Sequence, residues 1–210
     1  MSIVSKLVLA LSVLLLMSCG SAVTQYYVLN TISASTPLNS DKPRNSVQQS
    51  SVQQIAIRQL EIPRYLDRPR MVSRDAQNHL RISESHQWGG RLRDDLARTL
   101  SDNLADRLGS VSVFTSPFPG SMHADVSFLI DIRQFERLAD GYIHLKVRWH
   151  IQQAGADTRS YFDQMVSSAD VAEGDYAAMA AAMSQLLARF SEKMAMAVLK
   201  LPTLSAEKKL

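Results

Sequence analysis

One cysteine is the residue whose type and position most clearly indicate chemistry. Cys19 is the only cysteine among 210 residues, and it follows an apolar run, Leu7–Met17, and the small residue Ser18. Lys6 supplies a short positive region before that run, so residues 1–18 have the parts of an export signal. Leucine, another apolar residue, serine and then cysteine form a bacterial lipobox. The pattern predicts cleavage before Cys19, diacylglycerol on its thiol and an acyl chain on its amine.

An ordinary secretory signal with a chance cysteine is the alternative for this segment. An apolar run of ~11 residues is too short to span a bilayer core, which needs ~20. A single cysteine cannot form an internal disulfide, and a free thiol in an oxidising exported compartment is a liability. Lipidation consumes the thiol, and several acyl chains at ~0.8 kcal/mol per buried CH₂ hold a protein on a membrane almost permanently. We therefore expect a lipid-anchored exported protein that needs no cofactor beyond this covalent lipid.

The residue after the cysteine bears on which membrane holds the anchor. In lipoproteins of the enterobacterial type, an Asp at this position favours retention in the inner membrane. This chain has Gly20 there, and that resemblance points to the periplasmic leaflet of the outer membrane. We expect an anchor and short tether at 19–25, one domain at 26–202 and a tail at 203–210. Within the domain, residues 31–53 form a polar insertion that buries little apolar surface.

Composition and charge exclude several classes of function. The formal net charge of +3 falls to +2 when Lys6 leaves with the signal, so the pI of 9.1 reflects a small excess of positive charge. Arginines gather between Arg58 and Arg98, but six acidic residues are interleaved with them. A nucleic-acid footprint would need a cleaner basic stripe, so we expect no nucleic-acid partner. The mature chain is long enough for one domain with a sizeable core.

The sequence lacks the motifs of the common catalytic and metal sites. It has no Gly-rich phosphate loop, no Gly-x-Ser-x-Gly elbow and no His-Glu-x-x-His. His144 and His150 share one predicted strand, but their separation of ~20 Å is too large for one metal ion. Asp94 and Asp95 are adjacent on a predicted helix and point apart, which is poor geometry for an acid and base pair. We expect neither a metal site nor an enzyme.

Hydrophobic periodicity predicts an α+β domain. Segments of alternating polarity predict strands, and the two clearest form an antiparallel pair joined by the Asp140-Gly141 turn. The predicted strands are Tyr26–Leu29, Gln54–Leu60, Met71–Arg74, Leu80–Ser83, Val126–Arg133, Ile143–Ile151 and Thr158–Ser168. Apolar residues at helical spacing predict amphipathic helices over Gly90–Leu108 and Asp175–Lys200. Together they predict two layers, a mostly antiparallel sheet with both helices packed on one face.

The order of several segments along the chain resembles a known family. Cys19 is followed by Tyr26-Tyr27-Val28-Leu29, and later by Ile57 and the run Glu61-Ile62-Pro63-Arg64-Tyr65-Leu66-Asp67-Arg68-Pro69-Arg70-Met71-Val72. Trp88 just before a leucine-patterned helix, and a closing helix from Asp175-Tyr176 to Leu201-Pro202, complete the set. Over residues 26–202 the chain resembles the auxiliary lipoproteins of ABC-type, MCE-linked lipid transport, of which the PqiC type is the best known. The long insertion 31–53 is the departure from that pattern.

The resemblance implies partners and no reaction. It implies an outer-membrane-anchored periplasmic subunit that works with a tunnel-forming, PqiB-like MCE-domain protein and an inner-membrane transport partner. Such systems move phospholipid or related lipid between the membranes and support envelope integrity. The expected mechanism is docking of the tunnel tip on a lipid-tethered adaptor. Because MCE proteins form symmetric rings, a homo-oligomeric ring of this subunit is consistent with the resemblance.

The segment after Pro63 is the candidate docking surface. Tyr65, Leu66, Arg68 and Arg70 lie in a stretch that two prolines stiffen. Tyr and Arg dominate binding hot spots, and preorganisation lowers the ordering cost of binding. The alternative is a structural loop whose Tyr65 and Leu66 cap the core. Two other functions stay open: a lipid-binding carrier with a cavity between helices and sheet, and a structural envelope lipoprotein without a transport partner.

Acylation at Cys19 generates the first prediction. Cys19→Ala removes the only thiol of the chain, so radiolabelled palmitate should enter the natural protein and be absent from the variant. The variant should also stay unprocessed or leave the membrane. Ser21→Ala is the matched control and should label normally. Metabolic labelling and immunoprecipitation measure the incorporation, and equal labelling of the Cys19→Ala and natural proteins would contradict lipidation at this residue.

Overall fold

The computed structural model of this protein describes residues 23–33, 52–109, 111–118 and 123–202. The predicted signal, Cys19, Gly20, the predicted tail and most of the predicted insertion lie outside the described residues. The described strands are β1 Gln25–Tyr27, β2 Gln54–Glu61, β3 Arg70–Arg74, β4 Leu80–Trp88, β5 Ser112–Thr115, β6 Val126–Arg137, β7 Ile143–Gln153 and β8 Arg159–Val166. The described helices are α1 Leu92–Leu108 and α2 Tyr176–Leu199.

The eight described strands form one mixed sheet around β6. One edge of β6 pairs with β7 in antiparallel register along its length, and β8 continues that pattern. The other edge pairs in parallel with β2 and, at its end, with β3. Outward from these lie β5 beside β2, and then β4 and β1 beside β3. The longest ladders are antiparallel as expected, and the shorter parallel ladders join strands that long stretches of chain connect.

Both helices pack on the sheet and on each other, which confirms the α+β class. The predicted faces of both helices are the buried ones. The buried stripes are Leu92, Leu96, Leu100, Leu104 and Leu108 on α1, and Met179, Met183, Leu187, Phe190, Met194 and Val198 on α2. The Asp175 carboxylate caps α2 by accepting from Ala178 N at 2.9 Å. Neither described helix has the length and hydropathy needed to cross a membrane.

A β-bulge explains why the pattern of β6 ended too early. The pairing with β7 shifts between Ile132 and Gln134, so the buried face passes from Ile132 to Phe135. A bulge inserts one extra residue and breaks strict alternation. The sequence therefore predicted an end at Arg133, whereas the strand continues to Arg137. β5 was not predicted, because four residues carry too little periodicity to stand out.

Trp149 occupies the centre of the core, as its place on β7 predicted. It is 2 % exposed, stacks on Tyr161 with ring centroids 4.3 Å apart, and meets Phe190 edge-on at 5.9 Å. Its indole Nε1 donates to Asp163 Oδ2 at 2.9 Å. The neighbouring His150 lies on the opposite face, where its ring is hydrogen-bonded to Ser160 Oγ at 2.8 Å.

These surroundings predict very different costs for two adjacent substitutions. Trp149→Ala should lower the free energy of unfolding by ~3–5 kcal/mol, as for other buried aromatic residues. His150→Ala, the matched control, should cost less than ~0.5 kcal/mol because it changes a partly exposed position. Urea unfolding followed by circular dichroism measures both values. Comparable losses for the two variants would contradict the placement of Trp149 in the core and of His150 on the opposite face of β7.

Candidate functional site

The predicted docking segment forms a short, fixed connection between β2 and β3, here called the docking loop (residues 64–70). At its start, the Pro63 carbonyl accepts hydrogen bonds from Leu66 N at 2.9 Å and from Asp67 N at 3.2 Å. At its end, the Pro69 carbonyl accepts from Trp88 N at 2.7 Å. The loop is therefore held at both ends by backbone hydrogen bonds, one set within itself and one to β4, in addition to the stiffening that its prolines provide.

A buried carboxylate ties the same loop to β6. Glu136 is completely buried, and it accepts from Tyr65 Oη at 2.9 Å and from Arg74 Nη2 and Nε at 2.9 and 3.1 Å. Gln134 Nε2 and Phe135 N donate to it at 3.3 and 3.0 Å. A buried charge is tolerated only with such a set of donors and an opposite charge. We call Glu136, Tyr65 and Arg74 the Glu136 cluster.

Tyr65 is held as a hydrogen-bond donor by its surroundings. Burial, together with the charge of the Glu136 carboxylate to which Tyr65 donates, raises the pKa of Tyr65 to about 12. The Arg74 guanidinium lies 5.4 Å from the centre of the Tyr65 ring, an additional cation–π contact. Because the phenol stays protonated, it keeps the loop bonded to β6 across the neutral pH range.

The four predicted docking residues divide into two pairs. Leu66 is 3 % exposed and belongs to the core, and Tyr65 is half-buried in the Glu136 cluster. These two side chains are directed inward, as in the structural alternative, and do not form an exposed contact surface. Arg70 is exposed at the start of β3, and Arg68 is half-buried. Arg68 Nε is buried without a hydrogen-bond partner among the described residues.

The chain that leads from the predicted anchor into the domain is the second notable feature. The strand predicted at Tyr26–Leu29 ends at Tyr27, and Val28–Ile32, here called the anchor segment, leaves the sheet and runs along α1. Leu29 N donates to Asp95 Oδ2 at 2.7 Å, and Leu29 O accepts from Arg98 Nη2 at 2.9 Å. The backbone of this segment is thus paired with side chains instead of a neighbouring strand.

A polar stripe on α1 provides further partners of the anchor segment. The stripe consists of side chains spaced four residues apart: Asp95, Thr99, Asn103 and Arg107. Asn103 Oδ1 accepts from Ile32 N at 3.0 Å, and Arg107 donates to Ile32 O at 3.4 Å. From α2, Ser184 Oγ accepts from Asn30 N at 3.1 Å. Burial lowers the pKa of the Arg107 guanidinium.

Sequence reasoning missed this stripe because it placed the polar side of α1 in solvent. Thr99 and Asn103 are in fact completely buried. The repeat of polar residues at every fourth position was visible in the sequence, and a polar row at helical spacing is one signal that could have indicated a buried partner. Its partner could not be identified, because the anchor segment lies about seventy residues earlier in the chain.

The remaining candidate residues do not come together. His144 Nε2 is hydrogen-bonded to Asp140 Oδ2 at 2.7 Å, and His150 bonds to Ser160 instead. Asp95 is used by the anchor segment, whereas Asp94 is exposed on the surface of α1. Within the described parts of the chain, no three His, Cys, Asp or Glu side chains are placed to hold a metal ion.

The sequence is similar to a family of known proteins. The sequence model of the family described as "ABC-type transport auxiliary lipoprotein component" matches residues 36–195. This chain belongs to that family. The match confirms the family resemblance of the ordered segments, and it assigns the chain to the auxiliary lipoproteins of transport systems. No curated protein is similar enough in sequence to be matched.

Two crystal structures resemble the fold of this family member. An uncharacterized protein has a TM-score of 0.63 at 18 % identity, with 84 % of this chain and 99 % of that chain covered. Protein XCC0632 from Xanthomonas campestris, of family DUF330, has a TM-score of 0.59 at 19 % identity, with 83 % and 95 % covered. At these identities the likeness shows the fold alone.

The Glu136 cluster generates a prediction about stability at high pH. Tyr65 loses its proton near pH ~10 in the unfolded chain and at about 12 in the folded protein. The free energy of unfolding should therefore lose a contribution as the pH rises from about 10 to 12, and be unaffected by this group below that range. Tyr65→Phe should cost ~1.5 kcal/mol at pH 7 through loss of a hydrogen bond to a charged group, and should lack this part of the alkaline decline.

Urea unfolding at pH 9 and pH 11 compares the two proteins. Tyr26→Phe, at an exposed position of β1, is the matched control and should behave as the natural protein at both pH values. An identical alkaline decline in the Tyr65→Phe variant would show that the phenol does not carry this pH dependence.

Proposed function

We propose that the chain is the periplasmic, outer-membrane-anchored lipoprotein subunit of an MCE-type intermembrane lipid transport system, where it acts as a docking adaptor and supports envelope integrity. Membership of the transport auxiliary lipoprotein family supports a role in transport. Cys19 and Gly20 support a lipid anchor in the outer membrane. The proposed partners are a PqiB-like MCE-domain tunnel protein and an inner-membrane transport component, and the adaptor itself performs no catalysis.

The fixed docking loop is the observation that carries the adaptor role. Its ends are bonded by backbone groups and its middle by the Glu136 cluster, so little ordering entropy remains to be lost on binding. Arg64, Arg68 and Arg70 outweigh Asp67 in charge, which suits an acidic partner surface. Arg68 and Arg70 are therefore the proposed docking residues, with Tyr65 and Leu66 supporting them from within.

The clefts of the described fold favour an adaptor over a lipid carrier. One cleft of about 530 Å³ lies between β2, the end of β5 and the start of α1, and its lining includes Arg58, Glu61 and Arg93. Another of about 280 Å³ is about half as large and has a mixed lining, in which the charged Arg81 and Glu173 lie beside Ile82 and Met179. Sites for apolar ligands are lined mostly by apolar side chains. The space between α2 and the sheet is filled by its buried methionine, leucine and phenylalanine side chains.

A homo-oligomeric ring is part of the proposal. A tunnel with rotational symmetry presents identical contacts around its axis, and a cyclic receptor offers each contact the same docking loop. Repetition of a modest contact would also increase the overall strength of docking, because each further contact is intramolecular.

Charge reversal in the docking loop tests the adaptor role. Arg68→Glu with Arg70→Glu should preserve the fold and lipidation, abolish capture of the MCE protein and reproduce the envelope sensitivity of a deletion strain. Arg148→Glu with Arg159→Glu, on β7 and β8, is the matched control and should bind normally. Crosslinking in intact cells and co-purification measure capture. Normal capture by the Arg68/Arg70 variant would place docking elsewhere, and failure of the natural protein to capture any MCE protein would contradict the adaptor role itself.

A further inference from the structure

The way in which β1 joins the sheet determines where the anchor leaves the domain. β1 is parallel to β4, with Gln25 opposite His86. The chain before Gln25 therefore heads toward the beginning of β4 at Leu80. This direction is fixed, because the anchor segment is bonded to α1 and because Tyr27 Oη is hydrogen-bonded to His86 Nδ1 at 2.8 Å. The His86 ring in turn stacks on Tyr176 at the start of α2, with centroids 4.3 Å apart.

The length of the tether limits how far the lipid can lie from this end of the sheet. Residues 19–24 can span at most ~20 Å between the lipid on Cys19 and Gln25. The six-residue step along β4 from His86 back to Leu80 also covers ~20 Å. The lipid therefore cannot extend far beyond the β3–β4 turn. This step rests on the lipidation of Cys19 assumed in the proposed function.

The end of the sheet toward which the tether points is one continuous surface, here called the anchor-side end. It comprises the β3–β4 turn (75–79), the β6–β7 turn (138–142) and the connection from β8 to α2 (167–175). Arg137 joins them, since it lies opposite Ser73 and its Nε donates to Val171 O at 2.7 Å. Val171 N in turn donates to Gly141 O at 2.8 Å. The cleft of about 280 Å³ opens among these segments.

Exposed apolar side chains lie on this surface and directly beside it. Leu80 is 36 % exposed, and Ile82 and Tyr142 are exposed to a similar degree. Val23, on the tether itself, is the most exposed large apolar residue of the described chain. Arg81 and His79 flank them with largely exposed polar heads. Apolar and aromatic side chains bordered by long basic ones are typical of surfaces at the boundary between lipid headgroups and acyl chains.

We propose that the anchor-side end rests on the phospholipid surface that holds the anchor, with Leu80, Ile82 and Tyr142 in contact with the headgroup region. Opposite charges alternate there: Arg81 is paired with Asp75, and the cleft adds both Arg137 and Glu173. The surface therefore fits zwitterionic phospholipid and does not require anionic lipid. The tether keeps a membrane within reach of this end at all times. The contact also fixes the orientation of the domain relative to the membrane.

A fluorescent probe on full-length, lipidated protein tests this orientation. Because Cys19 is consumed by lipid, Leu80→Cys provides the one free thiol for an environment-sensitive dye. Leu199→Cys is the matched control, since Leu199 is 39 % exposed and lies at the far end of α2, whose 24 residues extend ~36 Å from Tyr176. The proteins are reconstituted in phosphatidylethanolamine–phosphatidylglycerol vesicles that contain nitroxide-labelled lipid.

The dye at Leu80 should shift to the blue and be quenched by the nitroxide lipid, whereas the dye at Leu199 should stay unquenched. Tyr142→Cys gives a second position that should be quenched if the whole anchor-side end touches the membrane. Equal quenching at Leu80 and Leu199, or none at both Leu80 and Tyr142 in protein that floats with the vesicles, would overturn the proposal while leaving the anchor intact. Failure of the natural protein to float with vesicles would contradict the lipid anchor, and with it this inference.

Discussion

One edge of the central strand β6 is shared by two shorter strands, and much of the molecule depends on that division. β2 and β3 both run parallel to β6, one along its first half and one at its end. Residues 62–69 must therefore leave the sheet after β2 and re-enter it so that β3 runs in the same direction as β2. A carboxylate buried beside this connection would be costly alone, and Glu136 is satisfied by Tyr65 within the connection and by Arg74 at the end of β3. The contacts that complete the sheet thus also hold the arginines of the docking loop in place.

The helix layer is subject to the same requirement, namely that buried polar groups have hydrogen-bond partners. The anchor segment runs along α1, where its peptide groups have no neighbouring strand. Since buried peptide groups need partners, α1 carries a second face of polar side chains beside its leucine face. The helix packs on the sheet with one face and binds the extended anchor segment with another. The anchor segment is thereby joined directly to the interior of the fold.

Sequence periodicity predicted the apolar faces of the regular elements. β7 alternates cleanly, the apolar stripes of both helices are buried, and Trp149 lies where the alternation placed it. The bulge in β6 and the short β5 were missed because one breaks the period and the other is too brief to show it. The docking loop was predicted as a segment, but the direction of Tyr65 depends on its bond to Glu136, about seventy residues away. Asn103 was missed for the same reason, since a polar side chain in a sequence does not reveal its distant partner.

The contacts of the anchor segment also set an order of events for the newly made chain. Asn30 bonds to Ser184, which lies 154 positions further along, and Leu29 bonds to Asp95. A chain that emerges from its N-terminus cannot form the bond to Ser184 until most of its length is available, because contacts of large sequence separation form only when both members are present. The first residues of the domain to emerge are thus among the last to dock. Throughout that interval the N-terminus is unattached to the folded body, which suits the cleavage and acylation proposed for it.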